Sequence, residues 1–238
     1  MPKKLLLISN STNSGEEYLG WPRQLIADFF SGTEVSRILF IPYAGVTVSY
    51  NDYTTKVKDV FEKLGLEIYS IENEPNRVDA IQKAEAIAVG GGNTFHLVYM
   101  LHKLRLMAPM FEKVTKGLPF LGWSAGANVA CPSMKTTNDM PIIEPESFNC
   151  LSLVPFQINP HYLDANPEGH GGETREQRIQ EFLVANPETT VVGLREATAL
   201  RIEGKAMHLL GSRPMRIFQF GNEPKELSPG TDASFLLI

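Results

Sequence analysis

The chain has 238 residues, of which 43% are hydrophobic, and this composition suits one domain with a substantial buried core. Its formal net charge of -5 argues against broad binding to nucleic acid or to anionic membranes. The two cysteines, Cys131 and Cys150, are too few for a disulfide framework or a cysteine-ligated metal, and they indicate a reducing intracellular compartment. The apolar run near Met1 is too short for a signal peptide and no stretch reaches membrane-span length, so we expect a cytoplasmic protein.

Short apolar runs alternate with helical patterns along the first half of the chain. Runs typical of strands buried on both faces lie at residues 5–10, 38–41, 66–71 and 86–89. Apolar residues recur at helical spacing at residues 21–30, 52–64 and 78–84. The alternation predicts a single α/β domain over residues 1–238, with a mainly parallel sheet sandwiched by helices. Ligands of such sheets bind beyond the carboxyl ends of the strands, where the polar residues Ser9 and Asn10 end the first run.

A glycine run, Gly90 to Gly92, follows the fourth predicted strand and precedes Asn93. Its spacing matches neither the dinucleotide-binding pattern nor the phosphate-binding P-loop. One interpretation is that bare backbone amides approach a substrate at the start of the next helix, with Gly91 or Gly92 donating to an oxyanion. The other interpretation is a purely structural turn.

Residues 119–128, PFLGWSAGAN, predict a short strand, a sharp turn and the start of a helix. Gly122, Ser124 and Gly126 match the Gly-x-Ser-x-Gly pattern of a nucleophile elbow. A serine at such a turn lies in strained backbone, and glycine two positions to either side removes Cβ atoms that would clash. We therefore expect the Ser124 hydroxyl to project from the sheet edge as a nucleophile, with the amide of Ala125 directed at a substrate oxyanion.

The second half of the chain is less regular. Residues 132–155 lack a clear periodic pattern, and a long irregular segment of this kind is more often functional than idle. A strand is predicted at residues 156–161, a helix at 174–185 with Thr174 as its cap, and a further strand at 190–194. Short strands at 199–202, 207–210 and 217–220, separated by glycines, predict antiparallel edge strands or a small C-terminal antiparallel ribbon.

A serine nucleophile needs a base within hydrogen-bond reach and an acid that orients the base. Of the five histidines, His161 is the best candidate because it ends a predicted strand. Glu196 follows the strand at 190–194, so we expect it at the same sheet edge as Ser124. The order is then serine, histidine, acid. In α/β-hydrolases the acid precedes the histidine, which would require His208 as the base, and His208 ranks lower because it lies inside a predicted strand.

Ordered segments extend over most of the chain as far as Leu194. They are NST at residues 10–12, IPYAGVT at 41–47, VGGGNTF at 89–95, GWSAGAN at 122–128, TTNDMP at 136–141, QINPH at 157–161 and PEGHGGETREQR at 167–178. Together these segments resemble the aspartyl dipeptidase (peptidase E) family of serine peptidases. The resemblance implies a cytosolic enzyme that cleaves dipeptides bearing an N-terminal aspartate, as a monomer or homodimer and without a metal or other cofactor. It also implies a fold like that of class I glutamine amidotransferases, a flavodoxin-like fold in which the order nucleophile, histidine, glutamate is normal.

The resemblance also implies roles for individual residues. By family position the nucleophile is Ser124, the base is His161 and the third member is Glu196. The oxyanion donors are the amides of Gly92 and Ala125. The implied partners of the substrate are Arg175, for the aspartyl carboxylate, Asp139, for the free amine or as support of the pocket, and Asn93. A planar guanidinium suits the first of these roles because it grips a carboxylate with two hydrogen bonds.

Two other functions stay open at the level of sequence. An isoaspartyl or cyanophycinase-like peptidase would share the elbow and the fold but act on β-linked aspartyl bonds. A non-catalytic protein on the same scaffold would bind small acidic peptides without acylation of Ser124. A metal hydrolase is not expected, because the sequence has no His-Glu-x-x-His motif and no clustered histidines and cysteines.

Overall fold

The structure, a computed structural model, describes residues 2–166, 168–169 and 171–238, which form two β-sheets and the helices packed on them. The strands, in chain order, are β1 (Lys4–Ile8), β2 (Arg37–Ile41), β3 (Glu67–Ser70), β4 (Ile87–Val89), β5 (Phe120–Trp123), β6 (Gln157–Tyr162), β7 (Val191–Arg195), β8 (Thr198–Glu203), β9 (Ala206–Gly211), β10 (Met215–Phe218) and β11 (Lys225–Leu227). The α-helices are α1 (Arg23–Phe30), α2 (Tyr50–Phe61), α3 (Arg77–Lys83), α4 (Thr94–Lys103), α5 (Met107–Thr115), α6 (Ala125–Asn128) and α7 (Arg175–Ala185).

The larger sheet has seven strands in the order β3-β2-β4-β5-β1-β8-β9. The five strands from β3 to β1 are parallel to one another, as the alternation of strands and helices predicts. The strands β8 and β9 continue the sheet antiparallel from the free edge of β1. The carboxyl ends of β1, β4 and β5 therefore lie side by side in the middle of the sheet.

Both faces of the larger sheet are buried, which explains why its strands are continuous apolar runs. In β1, Leu5 and Leu7 belong to one hydrophobic cluster and Leu6 and Ile8 to the other. The helices α1 and α2 pack on the face of Leu6 and Ile8. The helices α3, α4 and α5 pack on the opposite face, together with apolar residues of a second sheet.

The second sheet has four strands in the order β11-β10-β7-β6 and is mixed, because β6 and β7 are parallel while β10 and β11 run antiparallel. The late strands do not form one C-terminal ribbon. Strands β8 and β9 extend the edge of the larger sheet antiparallel, as one of the two interpretations predicts, whereas β10 and β11 extend the second sheet. The expectation that Glu196 follows a strand of the sheet that carries Ser124 is wrong, because β7 belongs to the second sheet. Local patterns identify strands, but the partner of each strand is set by contacts between distant residues.

The helices begin and end close to the predicted positions. Thr174 caps α7 in a capping box, in which its hydroxyl accepts from the amide of Gln177 and the Gln177 side chain accepts from the amide of Thr174. Gly65 closes the turn after α2 in the left-handed conformation, with φ 74°. Among the described residues, no helix is long and apolar enough to cross a membrane.

Candidate active site

Ser124 lies at the turn between β5 and α6, at the carboxyl edge of the larger sheet. Its backbone has φ 53° and ψ -113°, a combination that residues with a Cβ rarely adopt, and its amide donates to the carbonyl of Ile8 at 2.9 Å. Strain of this kind persists only where the surrounding structure imposes it. The turn therefore has the geometry that the elbow motif predicts.

The two glycines of the motif permit very close contacts between backbone segments. A Cβ at Gly122 would lie 2.2 Å from the carbonyl oxygen of Gly126, and a Cβ at Gly126 would lie 2.1 Å from that of Val89. Both neighbours are backbone atoms, so no side-chain rearrangement could relieve the clash. The tight packing of α6 against β5 and β4 thus holds the strained serine in place.

His161 is brought to Ser124 by an irregularity in the second sheet. Pro160 pairs with Leu194 and Tyr162 with Arg195, so His161 is the extra residue of a β-bulge and has φ 53°. A bulge turns a side chain away from the direction that the pleat would give it. Nε2 of His161 lies 3.0 Å from Oγ of Ser124, which is hydrogen-bond distance.

Glu196 completes a hydrogen-bonded chain with these two residues. It occupies the turn between β7 and β8, and its Oε1 lies 2.8 Å from Nδ1 of His161. A carboxylate can only accept, so Nδ1 carries the proton of the neutral imidazole and Nε2 is free to accept from the serine hydroxyl. His208, the base of the alternative order, is exposed on the strand β9, and its backbone forms an isolated antiparallel β-bridge with Asp232.

Two buried polar residues after β1 hold the backbone at His161 and next to Glu196. Oγ of Ser9 donates to the carbonyl of Leu194 at 2.6 Å and accepts from the amide of His161 at 3.0 Å. Oδ1 of Asn10 accepts at 2.9 Å from the amide of Ala197, which follows Glu196. Ser9 and Asn10 are both fully buried. The sequence indicates only that they follow a strand, because their partners are more than 150 residues away.

Gly92 and Ala125, the predicted oxyanion donors, lie in backbone beside the serine. Ala125 is the first residue of α6, so its amide has no acceptor within the helix. A Cβ at Gly91 would lie 3.0 Å from the Cβ of Ser124, which places the Gly91–Gly92 backbone against the nucleophile. Gly92 has φ 137°, and a Cβ there would lie 2.2 Å from the carbonyl oxygen of Ala44, so only glycine fits.

Two pockets share Ser124 and His161. A pocket of about 310 Å³ is lined by Thr94, Ser124, Thr137, Asn138, Asp139, Pro160, His161 and Arg175. A wider pocket of about 650 Å³ lies against Gly91, Gly92, Asn93 and Trp123 and extends to Val46, Val48 and Ile142. The serine therefore stands between a small polar compartment and a larger, more apolar one. A further cavity of about 820 Å³ lies at the opposite, amino ends of β1 and β5 and contains neither Ser124 nor His161.

The small pocket contains one cation and one carboxylate. Arg175, the first residue of α7, is half-buried, and its pKa is lowered mainly by this burial and further by Arg178, against the opposing effect of Asp139. Oδ2 of Asp139 accepts from the amide of Thr94 at 2.7 Å and from the hydroxyls of Thr94 and Thr137 at 2.6 and 3.0 Å. The carboxylate thus joins the irregular segment 132–155 to the start of α4.

Asn93 lies at the wider pocket, but its side chain already has structural partners. Its Oδ1 accepts from the amide of His96 and caps α4, while its Nδ2 donates to the carbonyl of Met140 at 2.9 Å. The role of Asn93 as a substrate contact therefore stays a prediction. Pro167 and His170, which belong to the matching segment 167–178, lie outside the described residues.

A cluster of charged residues fixes the end of β7 next to the acid. Arg195 is almost entirely buried and donates to both Asp164 and Glu226. Hydrogen bonds to Glu226 and Asp164 raise the pKa of the Arg195 guanidinium, and the bond from Arg195 lowers the pKa of the Asp164 carboxyl. Arg195 directly precedes Glu196, so the cluster restricts the backbone from which the acid projects.

Comparison with known proteins shows strong similarity to one family along the whole chain. Residues 5–210 match peptidase family S51. A peptidase E of Nostoc sp. is 52% identical over 237 residues, which cover 100% of this chain and 98% of the relative. A peptidase E of Salmonella typhimurium is 46% identical over 227 residues, which cover 95% of this chain and 98% of the relative.

Solved structures show the same fold at lower identity. A putative peptidase E of Listeria monocytogenes superposes with a TM-score of 0.65 at 24% identity, covering 96% of this chain and 100% of the other. A peptidase of an acI-B1 actinobacterium superposes with a TM-score of 0.73 at 19% identity, covering 99% of this chain and 98% of the other. At these identities the likeness extends to the fold alone.

Proposed function

The chain belongs to peptidase family S51, and from this membership and the geometry of the site we propose that it is a serine dipeptidase that hydrolyses dipeptides with an N-terminal L-aspartate. The observation that carries the proposal is the continuous hydrogen-bonded chain from Ser124 through His161 to Glu196, beside a small pocket that contains Arg175. We further infer that the fold is that of class I glutamine amidotransferases, in which the same order of residues occurs.

Acylation follows from the positions of the three side chains. Oγ of Ser124 attacks the carbonyl carbon of the scissile peptide while Nε2 of His161 takes the hydroxyl proton. Glu196 holds the imidazole in the required tautomer and stabilises the imidazolium. The imidazolium then gives its proton to the leaving amine, and the second residue of the dipeptide departs as a free amino acid. A water molecule, deprotonated in turn by His161, hydrolyses the aspartyl ester and restores the free serine.

The amides of Ala125 and Gly92 stabilise the negative charge that develops on the carbonyl oxygen. Both belong to backbone that packs closely beside Ser124, where the charge forms. The loss of one such donor typically lowers kcat by about 10²- to 10³-fold.

The small pocket accounts for selection of an N-terminal aspartate. The guanidinium of Arg175 pairs with the substrate's side-chain carboxylate. Asp139 uses Oδ2 for its contacts with Thr94 and Thr137, and its other oxygen accepts from the substrate's free α-amine. A neutral side chain would leave the half-buried guanidinium without a partner, so such substrates are rejected by about 10²-fold or more.

The wider pocket receives the second residue of the dipeptide. It lies on the leaving-group side of Ser124 and is bordered by Val46, Val48 and Ile142, which are partly exposed apolar side chains. A roomy and largely apolar compartment discriminates weakly between side chains, because one methylene in a hydrophobic pocket changes binding by only about 1–3 kcal/mol. We therefore expect broad tolerance at the second position.

The proposal is tested by measuring turnover of Asp-Leu, Leu-Leu and β-Asp-Leu by the wild-type protein and by Ser124→Ala. We expect cleavage of Asp-Leu alone, and a loss of several orders of magnitude in Ser124→Ala with unchanged unfolding in urea. Near-normal turnover by Ser124→Ala would show that Ser124 is not the nucleophile. Cleavage of β-Asp-Leu in preference to Asp-Leu would identify the isoaspartyl alternative, and no cleavage of any dipeptide would favour a binding protein.

A further inference from the structure

Three aromatic side chains form a hydrogen-bonded chain that ends on the glycine run. Nε1 of Trp123 donates to the hydroxyl of Tyr18 at 3.0 Å, and the hydroxyl of Tyr18 donates to that of Tyr53 at 3.2 Å. The hydroxyl of Tyr53 donates to the carbonyl of Gly91 at 2.9 Å. The direction of the chain is fixed by its ends, because an indole N–H can only donate and a carbonyl can only accept.

The carbonyl of Gly91 belongs to the same peptide unit as the amide of Gly92. A trans peptide is planar, and its C=O and N–H point in opposite directions. A bond that fixes the carbonyl of Gly91 therefore also fixes the direction of the Gly92 N–H. This peptide lies against the Cβ of Ser124, on the wall that the wider pocket shares with the nucleophile.

A peptide between two glycines needs such a restraint. Gly91 and Gly92 lack the Cβ atoms that would restrict their φ and ψ angles, so rotation of the peptide between them meets little steric opposition. The absence of Cβ atoms is required for the close approach to Ser124 and to Ala44. The same freedom allows the peptide to turn its carbonyl, instead of its amide, toward the substrate.

We propose that Tyr53 is a positioning residue that holds the Gly91–Gly92 peptide with the amide of Gly92 directed at the oxyanion, and that Tyr18 and Trp123 orient the Tyr53 hydroxyl for this purpose. The inference rests on the proposed function, because it deepens the role of Gly92 as an oxyanion donor. It adds to the site a residue of α2, which contributes no atom to the hydrogen-bonded chain of Ser124, His161 and Glu196.

The surroundings of Tyr53 fix its ring independently of its hydroxyl. The ring packs edge-on against Phe40, at 5.2 Å between centroids and 89° between planes, and Phe40 stacks on Trp123 at 5.9 Å. The hydroxyl lies where a Cβ at Gly90 would approach it to 2.5 Å, so glycine at that position makes room for it. Burial raises the pKa of Tyr18 and of Tyr53, which keeps both hydroxyls protonated as donors.

The test is Tyr53→Phe, which removes the donor and leaves the packing of the ring. We expect kcat for Asp-Leu to fall about 10-fold, because a single hydrogen bond biases the peptide by about this factor, with KM changed less than about 2-fold. Tyr18→Phe should lower kcat by a smaller factor. Tyr50→Phe is the matched control, since Tyr50 lies one turn away on α2 and packs on Tyr43, outside the hydrogen-bonded chain. It should keep wild-type kinetics.

A second measurement distinguishes orientation of the peptide from general distortion. An aspartyl aldehyde forms a hemiacetal with Ser124 and places its oxygen at the oxyanion position, whereas β-alanine, which is aspartate without its α-carboxyl group, has no atom for that position and occupies only the small pocket. Tyr53→Phe should weaken inhibition by the aldehyde about 10-fold and leave inhibition by β-alanine unchanged. Unchanged kcat and aldehyde affinity would overturn the proposal, and so would an equal loss of affinity for both inhibitors.

The inference can also be separated from the proposed function. If the wild-type protein cleaves no dipeptide, the rate at which a fluorophosphonate labels Ser124 replaces kcat as the readout, because phosphonylation also builds negative charge on an oxygen beside the serine. Slower labelling of Tyr53→Phe than of Tyr50→Phe would support the positioning role. Equal labelling rates would overturn it.

Discussion

The two sides of the active site are held by different forces. On the nucleophile side, Ser124 is fixed by direct packing of backbone on backbone, with glycine Cα atoms of α6 and β5 against carbonyl oxygens. On the base and acid side, His161 and Glu196 are fixed by buried polar atoms, chiefly Ser9, and by a cluster of charged residues. The first side belongs to the larger sheet and the second side to the strands of the second sheet.

The difference predicts how substitutions on each side of the active site should affect the protein. A steric constraint has no gradual failure, because an added methyl group either fits or displaces the backbone. A polar constraint can be weakened one bond at a time, with losses of about 1–3 kcal/mol for each buried group left without a partner. Substitutions on the two sides should therefore separate loss of fold from loss of alignment.

The largest effect is expected from Gly126→Ala on the nucleophile side. The added Cβ would lie 2.1 Å from the carbonyl oxygen of Val89, so α6 must move away from β4. We expect turnover to fall below about 1% of wild type and stability to fall by about 3 kcal/mol or more, measured by urea unfolding. Gly221→Ala is the control, because Gly221 has φ 72° but no neighbour within 4 Å. The free energy of unfolding of Gly221→Ala should fall by about 1–2 kcal/mol, and its turnover should stay at the wild-type level. Equal losses of turnover in the two variants would contradict the steric explanation.

A smaller effect is expected from Ser9→Ala on the base side. The variant loses both the donor to Leu194 and the acceptor of the His161 amide, so the bulge that presents the imidazole is free to shift. We expect kcat to fall about 10²-fold with little change in KM, and stability to fall by about 1–3 kcal/mol. Ser133→Ala removes the buried hydroxyl that accepts from Gln157 at 2.6 Å, away from the site, and should lower stability without lowering kcat. Equal falls of kcat in Ser9→Ala and Ser133→Ala would refute the prediction that Ser9 aligns His161. Ser9→Thr, which keeps the hydroxyl, should have a higher kcat than Ser9→Ala.

The smallest effect is a pH dependence from the charged cluster. The pKa of Asp164 is lowered mainly by its hydrogen bond from Arg195. A lowered carboxyl pKa adds stability above the unfolded-state value, and this contribution is lost as pH falls through the folded-state value. Wild type should therefore be more stable than Asp164→Asn at pH 6, and the difference should shrink by pH 3, as measured by urea unfolding. In an Arg195→Met background the difference should be nearly independent of pH, and a persistent pH dependence there would exclude Arg195 as its cause.

The same contrast explains how much of the site the sequence predicts. The elbow is predicted from Gly122, Ser124 and Gly126 because a steric requirement restricts residue type at neighbouring positions. His161 and Glu196 are found by elimination and by resemblance to a family, but the expectation that Glu196 lies at the sheet edge of Ser124 is wrong, because β7 belongs to the second sheet. The bulge at His161 has no local signal, since it depends on how β6 pairs with β7.

The parallel core of the fold is predicted well, because apolar runs and helical periodicity are local properties. The division of the late strands between two sheets is not predictable in this way. A strand of four to six residues fits either sheet by pattern, and the choice depends on which apolar faces remain uncovered. The roles of Ser9 and Asn10 are not predicted from the sequence for a related reason. A polar residue after a strand is common, and only contact with a distant partner gives it a specific role.

The pairing of β1 with β8 has a consequence for synthesis of the protein. Strand β1 is made before β6, β7 and β8, yet its outer edge and the hydroxyl of Ser9 find their partners only in these later strands. The nascent chain therefore contains Ser124 while dozens of further codons are translated, before His161 and Glu196 can be placed beside it. The hydrogen-bonded chain of Ser124, His161 and Glu196 can form only after Glu196 has been made.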